Sequence, residues 1–134
     1  MEMQITFPGG ARVRADFDGH SILTDQPVDK GGEDSAPAPF DHFLASVGTC
    51  AGFFVNKFLT QRQLSADGLS IVLRTTRDTE SRMVTDIELE VILPDDFPEK
   101  YERAIVSSVN LCSVKKHLRT PPNFTTTLSR RTPA

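Results

Sequence analysis

The sequence has few of the residue types on which several classes of protein depend. It contains no tryptophan, one tyrosine and two cysteines among its 134 residues. The net charge is −3, and no basic stripe or stacking array of aromatic residues is visible, which argues against nucleic-acid binding. Neither cysteine belongs to a CxxC pair and the three histidines show no ligand spacing, so we expect no metal site and no cofactor.

Signals for export and for membrane insertion are also missing. The N-terminus MEMQITF has no cationic region followed by an apolar run, which argues against a signal peptide. The longest apolar stretch, FLASVGTCAGFFVNKFL, contains Asn56 and Lys57, and we expect it to be too short and too polar to span a bilayer. We therefore expect one cytoplasmic domain, residues 1–134, with no membrane partner. In that compartment a cysteine pair is more often catalytic, redox-active or simply buried than a structural disulfide.

The N-terminal third of the sequence reads as a small antiparallel sheet. The segment ARVRADF alternates apolar and charged residues, and Asp18-Gly19 is a strong hairpin signal. These features predict a three-stranded meander within residues 1–25. A loop rich in proline, glycine and acidic residues, 26–38, follows it.

The remainder predicts two helices separated by a strand hairpin. Apolar residues recur every three or four positions over 39–63, which predicts a central helix buried around much of its circumference. A hairpin over 68–93, a second helix region over 98–119 and a last strand over 123–129 follow. The order βββ-α-ββ-α-β predicts an α+β fold with two central helices wrapped by antiparallel strands.

Each predicted helix carries one of the two cysteines, Cys50 and Cys112. Gly48 and Gly52 flank Cys50, and each costs about 1 kcal/mol of helix propensity relative to alanine. A close helix crossing at these glycines would offset that cost and could bring the sulfurs together. Two interpretations remain open, because free cysteine is often a small core residue, whereas a redox thiol needs a nearby cation or helix dipole to ionise.

Three charged residues are candidates for activating a thiol. Arg12 and Arg14 share the polar face of a predicted strand, where they either meet solvent or supply the cation. Asp41 either stabilises the start of the central helix or orients an arginine. Asp41 lies roughly half a turn around the helix from Cys50, so on a straight helix it would serve a thiol across a dimer interface.

Two cysteine motifs resemble those of the OsmC/Ohr family. In SAPAPFDHFLASVGTCAGFFV, Pro39, Ala45 and Cys50 match the family's central-helix motif. The segment NLCSVKKHL resembles the second motif, although Ser113 stands where the family usually has proline. Phe40 occupies the position of a glutamate in the well-studied peroxidases, and Asp41 that of a glutamate in another branch.

The resemblance implies an intertwined homodimer that reduces organic hydroperoxides. Cys50 would be the peroxidatic thiol, Cys112 the resolving thiol, and Arg12 (or Arg14) with Asp41 would activate Cys50. A dithiol or a lipoylated protein would be the reductant. Phe40, Phe43, Phe53 and Phe54 would form an apolar substrate pocket, with plain core packing as the alternative for these rings.

Two other functions remain open from the sequence. The same dimer could be a non-catalytic module that binds a small apolar molecule and has structural thiols. It could also be a redox sensor, in which a bridge between Cys50 and Cys112 changes the shape of the dimer without turnover.

Overall fold

A computed structural model of the chain describes residues 1–130 and divides them into two compact units. The first unit comprises Met1–Thr49 and Ser70–Ile92. The second comprises Cys50–Leu69 and the described residues from Leu93 onward. The mixed α+β class predicted from the sequence is confirmed, and the order of strands and helices follows the prediction up to the C-terminal segment. The prediction of a single domain remains a prediction.

The first unit contains the two antiparallel sheets. Strands β1 (Gln4–Gly9), β2 (Arg12–Phe17) and β3 (His20–Thr24) form a meander in the order β1-β2-β3. Asp18 and Gly19 adopt φ values of 46° and 79°, so both central residues of the β2–β3 turn are left-handed, as the tight hairpin requires. The second sheet pairs β4 (Ser70–Arg77) with β5 (Val84–Ile92).

A buried carboxylate organises the loop between β3 and the central helix. Asp25 is 1% exposed and accepts hydrogen bonds from the amides of Gln26, Glu33 and Ser35 and from the Ser35 hydroxyl. A Cβ atom at Gly32 would overlap the carbonyl group of Gln26, so the loop closes only with glycine at this position. These hydrogen bonds and this steric requirement give the loop a defined conformation.

The central helix α1 runs from Pro39 to Gln61, against the predicted 39–63. The carboxylate of Asp41 accepts a hydrogen bond from the Ala38 amide at 3.0 Å, an interaction that stabilises a helix start. At the other end Gln63 is left-handed, with φ of 54°, and the Leu64 amide donates to the Leu59 carbonyl. This pattern is a Schellman termination, which satisfies the last carbonyl groups of the helix.

The second unit holds most of the buried apolar side chains. After a short 3-10 segment, Glu99–Tyr101, helix α2 (Glu102–Val109) and helix α3 (Ser113–Arg119) follow, so the predicted second helix region is two short helices. The core residues of this unit are nearly inaccessible to solvent and come from α1, from α2 and from the residue before α3. They are Ala51, Val55, Phe58, Leu59, Ile105, Val109 and Cys112.

The prediction of a last strand over 123–129 is wrong for the single chain. These residues form no strand, and Phe124 and Leu128 are 90% and 88% exposed. A strand requires a neighbouring strand to pair its backbone groups, and threonine-rich composition alone does not supply one.

Helix α1 also differs from two expectations. It is not buried around its circumference, because Phe53 is 61% exposed while Val47, Ala51 and Val55 are buried. With 23 residues it is long and apolar enough, by length and composition only, to cross a membrane, which corrects the expectation that it is too short and too polar. One such helix is weak evidence for a membrane span, because the core helix of a soluble protein passes the same test.

Candidate active site

The two cysteines meet in the second unit, and no disulfide joins them. Cys50 lies on α1 and is partly exposed, whereas Cys112 is fully buried. Cys112 has an extended backbone, with ψ of 119°, in the short connection between α2 and α3. Its thiol is hydrogen-bonded to the sulfur of Cys50. The chain therefore offers one thiol that solvent can reach and a second, protected thiol in contact with it.

The residue after Cys112 also contacts Cys50. The hydroxyl oxygen of Ser113 lies 3.6 Å from the sulfur of Cys50, which is hydrogen-bond distance for a sulfur atom. Ser113 is the first residue of α3, so the backbone that turns at Cys112 also fixes the position of this hydroxyl. Cys50 thus lies against a segment of consecutive residues, 112–114, that supplies several hydrogen-bond donors.

These donors decide which thiol ionises first. Burial raises the pKa of Cys50, but hydrogen bonds from the Val114 amide, the Ser113 hydroxyl and the Cys112 thiol outweigh it and lower that pKa to about 7. Burial raises the pKa of Cys112, and the hydrogen bond to Cys50 and the charge of that sulfur raise it further. Two sulfurs in contact cannot both be charged at low cost. Cys50 is therefore the thiol that ionises first, and a Cys50 thiolate beside a Cys112 thiol becomes the main form as the pH rises past about 7.

The predicted cations have partners within the first unit. The Arg12 guanidinium donates to the Gly9 carbonyl and forms an ion pair with Glu33 at 3.4 Å. Arg14 forms an ion pair with Asp16 at 2.9 Å. In the single chain the carboxylate beside Arg12 is therefore that of Glu33. The roles of Arg12 and Arg14 toward Cys50 remain predictions.

Asp41 takes the first of its two predicted roles in the single chain. Its carboxylate accepts the hydrogen bond from the Ala38 amide described above, at the start of α1. The negative charge also suits the positive end of the helix dipole. Its second predicted role, orienting an arginine, remains a prediction.

The four phenylalanines of the predicted pocket form two separate pairs. Phe40 and Phe43 belong to the first unit, with ring centroids 5.2 Å apart, and the Arg77 guanidinium lies 5.4 Å from the Phe40 ring. Phe53 and Phe54 belong to the second unit and meet edge to face at 5.3 Å. Phe54 lines a groove in the second unit, and a substrate pocket formed by the four rings remains a prediction.

That groove lies along α1 and α2 and has a volume of about 550 Å³. Its apolar lining includes Phe54, Phe58 and Leu111, and Lys57 and Arg62 also line it. Arg62 is held in place, because its guanidinium stacks 3.9 Å from the centroid of the Phe58 ring. Phe54 is about one helical turn beyond Cys50 on α1, and Leu111 directly precedes Cys112 in the chain.

Sequence reasoning missed two polar contacts. Glu33 had no recognisable signal, because it lies in a loop whose conformation depends on the buried carboxylate of Asp25. Ser113 had a recognisable signal, because it directly follows a cysteine, but its contact with Cys50 depends on how the chain turns at Cys112.

Within residues 1–130 no group of three or more His, Cys, Asp or Glu side chains could hold a metal ion.

Comparison with protein families identifies the chain. The family model described as OsmC-like protein matches residues 32–127, which include both cysteines. The chain belongs to the OsmC-like family. No curated protein matches it.

Solved structures of OsmC-like proteins share this fold. An OsmC-like protein from Mycoplasma pneumoniae is 14% identical, with a TM-score of 0.70 and coverage of 90% of this chain and 87% of that one. A protein described as an osmotic stress induced and detoxification response protein, from Psychrobacter arcticus 273-4, is 20% identical, with a TM-score of 0.73 and 85% of each chain covered. An organic hydroperoxide resistance protein OsmC from Legionella pneumophila is 18% identical, with a TM-score of 0.51 and coverage of 89% and 90%.

Proposed function

We propose that this OsmC-like protein is a thiol-dependent peroxidase that reduces organic hydroperoxides. The observation that carries the proposal is the contact between a partly exposed Cys50, whose pKa is about 7, and a buried Cys112. A plain core cysteine has no need of a lowered pKa or of a second thiol as partner. The name of the Legionella pneumophila protein, organic hydroperoxide resistance protein, agrees with this substrate class.

The reaction would use the two sulfurs in sequence. The Cys50 thiolate attacks the terminal oxygen of the hydroperoxide and breaks the O–O bond. Cys50 becomes a sulfenic acid, and the departing alkoxide takes a proton from solvent to form the alcohol. The Cys112 thiol then attacks the sulfenic sulfur, which forms the disulfide and releases water. A dithiol, free or lipoyl, reduces that disulfide by exchange and is itself oxidised.

The groove along α1 and α2 would receive the apolar part of the substrate. Phe54 and Phe58 supply apolar surface, and Lys57 and Arg62 supply positive charge to the same groove. We further propose that the protein acts as a homodimer in the cytoplasm, with active sites at the subunit interface. Arg12, Asp41 and the exposed rings of Phe40 and Phe53 would meet a second subunit there.

Peroxide consumption by purified protein tests the proposal. With cumene hydroperoxide and a dithiol, we expect turnover by the wild type, a rate that falls as pH drops below about 7, and no turnover by Cys50→Ser. Cys112→Ser should perform the first step only, leaving a sulfenic acid on Cys50 that a dimedone-type reagent traps.

Two results would contradict the proposal. Equal peroxide consumption by the wild type and Cys50→Ser would exclude Cys50 as the nucleophile. A Cys50–Cys112 disulfide that forms with one equivalent of peroxide but is not reduced by any dithiol would favour the redox sensor. Thr49→Ala is the matched control, because the Thr49 hydroxyl donates to the Ala45 carbonyl of its own helix at 2.8 Å.

A further inference from the structure

The side chain of Ser113 lies against the sulfur that the proposed reaction uses. Its hydroxyl oxygen is 3.6 Å from the sulfur of Cys50. A serine hydroxyl can donate to a thiolate, whereas it can only accept from, or weakly donate to, a protonated thiol. Hydrogen bonds to a charged acceptor are roughly twice as strong as those between neutral groups. The contact is therefore stronger when Cys50 is ionised.

From this contact we infer that Ser113 positions the Cys50 thiolate, donating a hydrogen bond that holds the sulfur ionised and directed for attack. The inference rests on the proposed function, since a held thiolate serves catalysis only if Cys50 attacks the peroxide. It assigns to a side chain of α3 part of the activation that the family resemblance assigns to an arginine and a carboxylate.

Two other polar side chains of α3 have hydrogen-bond partners elsewhere in the chain. The Nζ of Lys115 donates to the Asn110 side-chain oxygen at 3.1 Å. The Nδ1 of His117 lies 2.7 Å from the Ser113 carbonyl oxygen, within its own helix. Lys116 and Arg119 are exposed on the same helix, and the thiol of Cys112 contacts Cys50 directly. The hydroxyl of Ser113 is thus a neutral side-chain donor that remains available to the sulfur at every pH near neutrality.

Removing this donor has two opposite effects on reactivity. Fewer Cys50 thiols ionise at a given pH, and each thiolate that does form is less strongly hydrogen-bonded and more nucleophilic. With a Brønsted coefficient of about 0.4–0.5, a rise of about one pKa unit increases the rate constant of the thiolate about threefold. The same rise lowers the thiolate fraction about tenfold at acidic pH, so the observed rate there falls about threefold.

The experiment measures alkylation of Cys50 by iodoacetamide as a function of pH, with mass spectrometry to assign the label to Cys50. The midpoint for Ser113→Ala should lie about one pH unit above that of the wild type, with a lower rate at acidic pH and a higher plateau at alkaline pH. Ser113→Thr retains a hydroxyl and should restore the wild-type profile. Thr49→Ala removes a hydroxyl from the residue next to Cys50 and should leave the profile unchanged.

A midpoint in Ser113→Ala that equals those of the wild type and Thr49→Ala would overturn the inference. If Ser113→Ala does not fold, as judged by circular dichroism, Ser113→Gly lacks the same hydroxyl and is subject to the same criterion. The assay needs no peroxide, so its outcome is distinct from that of the proposed function. A shifted midpoint with no peroxide turnover would support the Ser113 contact and refute the peroxidase.

Discussion

Substitution of Gly52 by alanine should stabilise the protein. A Cβ atom built at Gly52 meets no atom within 4 Å, so a methyl group there enters open space. Glycine in a helix interior is less favourable than alanine by about 0.8–1.0 kcal/mol, because its backbone loses more conformational freedom on folding. We therefore expect Gly52→Ala to raise the free energy of unfolding by about 1 kcal/mol.

Gly48→Ala is the matched comparison on the same helix. A Cβ atom at Gly48 would lie 3.7 Å from the Cδ1 of Leu73, which is an ordinary van der Waals contact. This variant should gain the same helix propensity together with a small apolar contact. Neither substitution requires the single chain to rearrange.

Urea unfolding measures both effects. With a slope of about 1–3 kcal/mol per molar urea, a gain of 1 kcal/mol moves the midpoint upward by roughly 0.3–1 M. The measurement should be made at several protein concentrations, because the stability of a dimer depends on concentration. A lower free energy of unfolding for Gly52→Ala, beside a normal gain for Gly48→Ala, would refute the reasoning. It would mean that a second copy packs its backbone against Gly52.

Two further substitutions test the core and the loop. Ile105 is fully buried on α2, so Ile105→Ala should lower the free energy of unfolding by about 2–5 kcal/mol. Val106 is 54% exposed, and Val106→Ala should change the free energy of unfolding far less. Equal losses in urea unfolding would contradict this assignment of the core. Hydrogen bonds from the Ser35 hydroxyl and from backbone amides lower the pKa of Asp25 to about 2. Because this folded-state pKa lies below the unfolded one, the stability that Asp25 adds is present above about pH 4 and is lost as pH falls toward 2. Asp25→Asn should therefore be less stable than the wild type at pH 7 and approach it at low pH, and a stability difference independent of pH would contradict the role of the charge.

The sequence predicted the regular elements well because their signals are local. Alternation in β2, the Asp18-Gly19 turn and the apolar repeat of α1 each depend on residues a few positions apart. The predicted strand over 123–129 failed for the complementary reason. Strand composition shows only that a segment can pair, and the partner that decides whether it does is distant in sequence or outside the chain.

The candidate site was predictable only in part. Cys50 and Cys112 were recognisable from composition and family motifs, as was the possibility that their sulfurs meet. The contact of Ser113 with Cys50 and the pairing of Arg12 with Glu33 were not. Both contacts join residues that are distant in sequence. Both also depend on the conformation of a loop, and a loop leaves no periodic pattern in the sequence from which its conformation could be predicted.

The amino-acid sequence by itself determined that this is an α+β protein with Cys50 on a long apolar helix, because hydrophobic spacing and turn residues act locally. It placed Cys112 on a second helix, whereas the structure has it in the connection between α2 and α3. The tertiary structure decided which of the two thiols ionises. Burial raises the pKa of both sulfurs, and the Val114 amide lowers both. The Ser113 hydroxyl and the Cys112 thiol lower the pKa of Cys50 further, whereas the contact with Cys50 raises the pKa of Cys112. That asymmetry comes from the three-dimensional course of three residues, 112–114, and the identity of those residues does not reveal it.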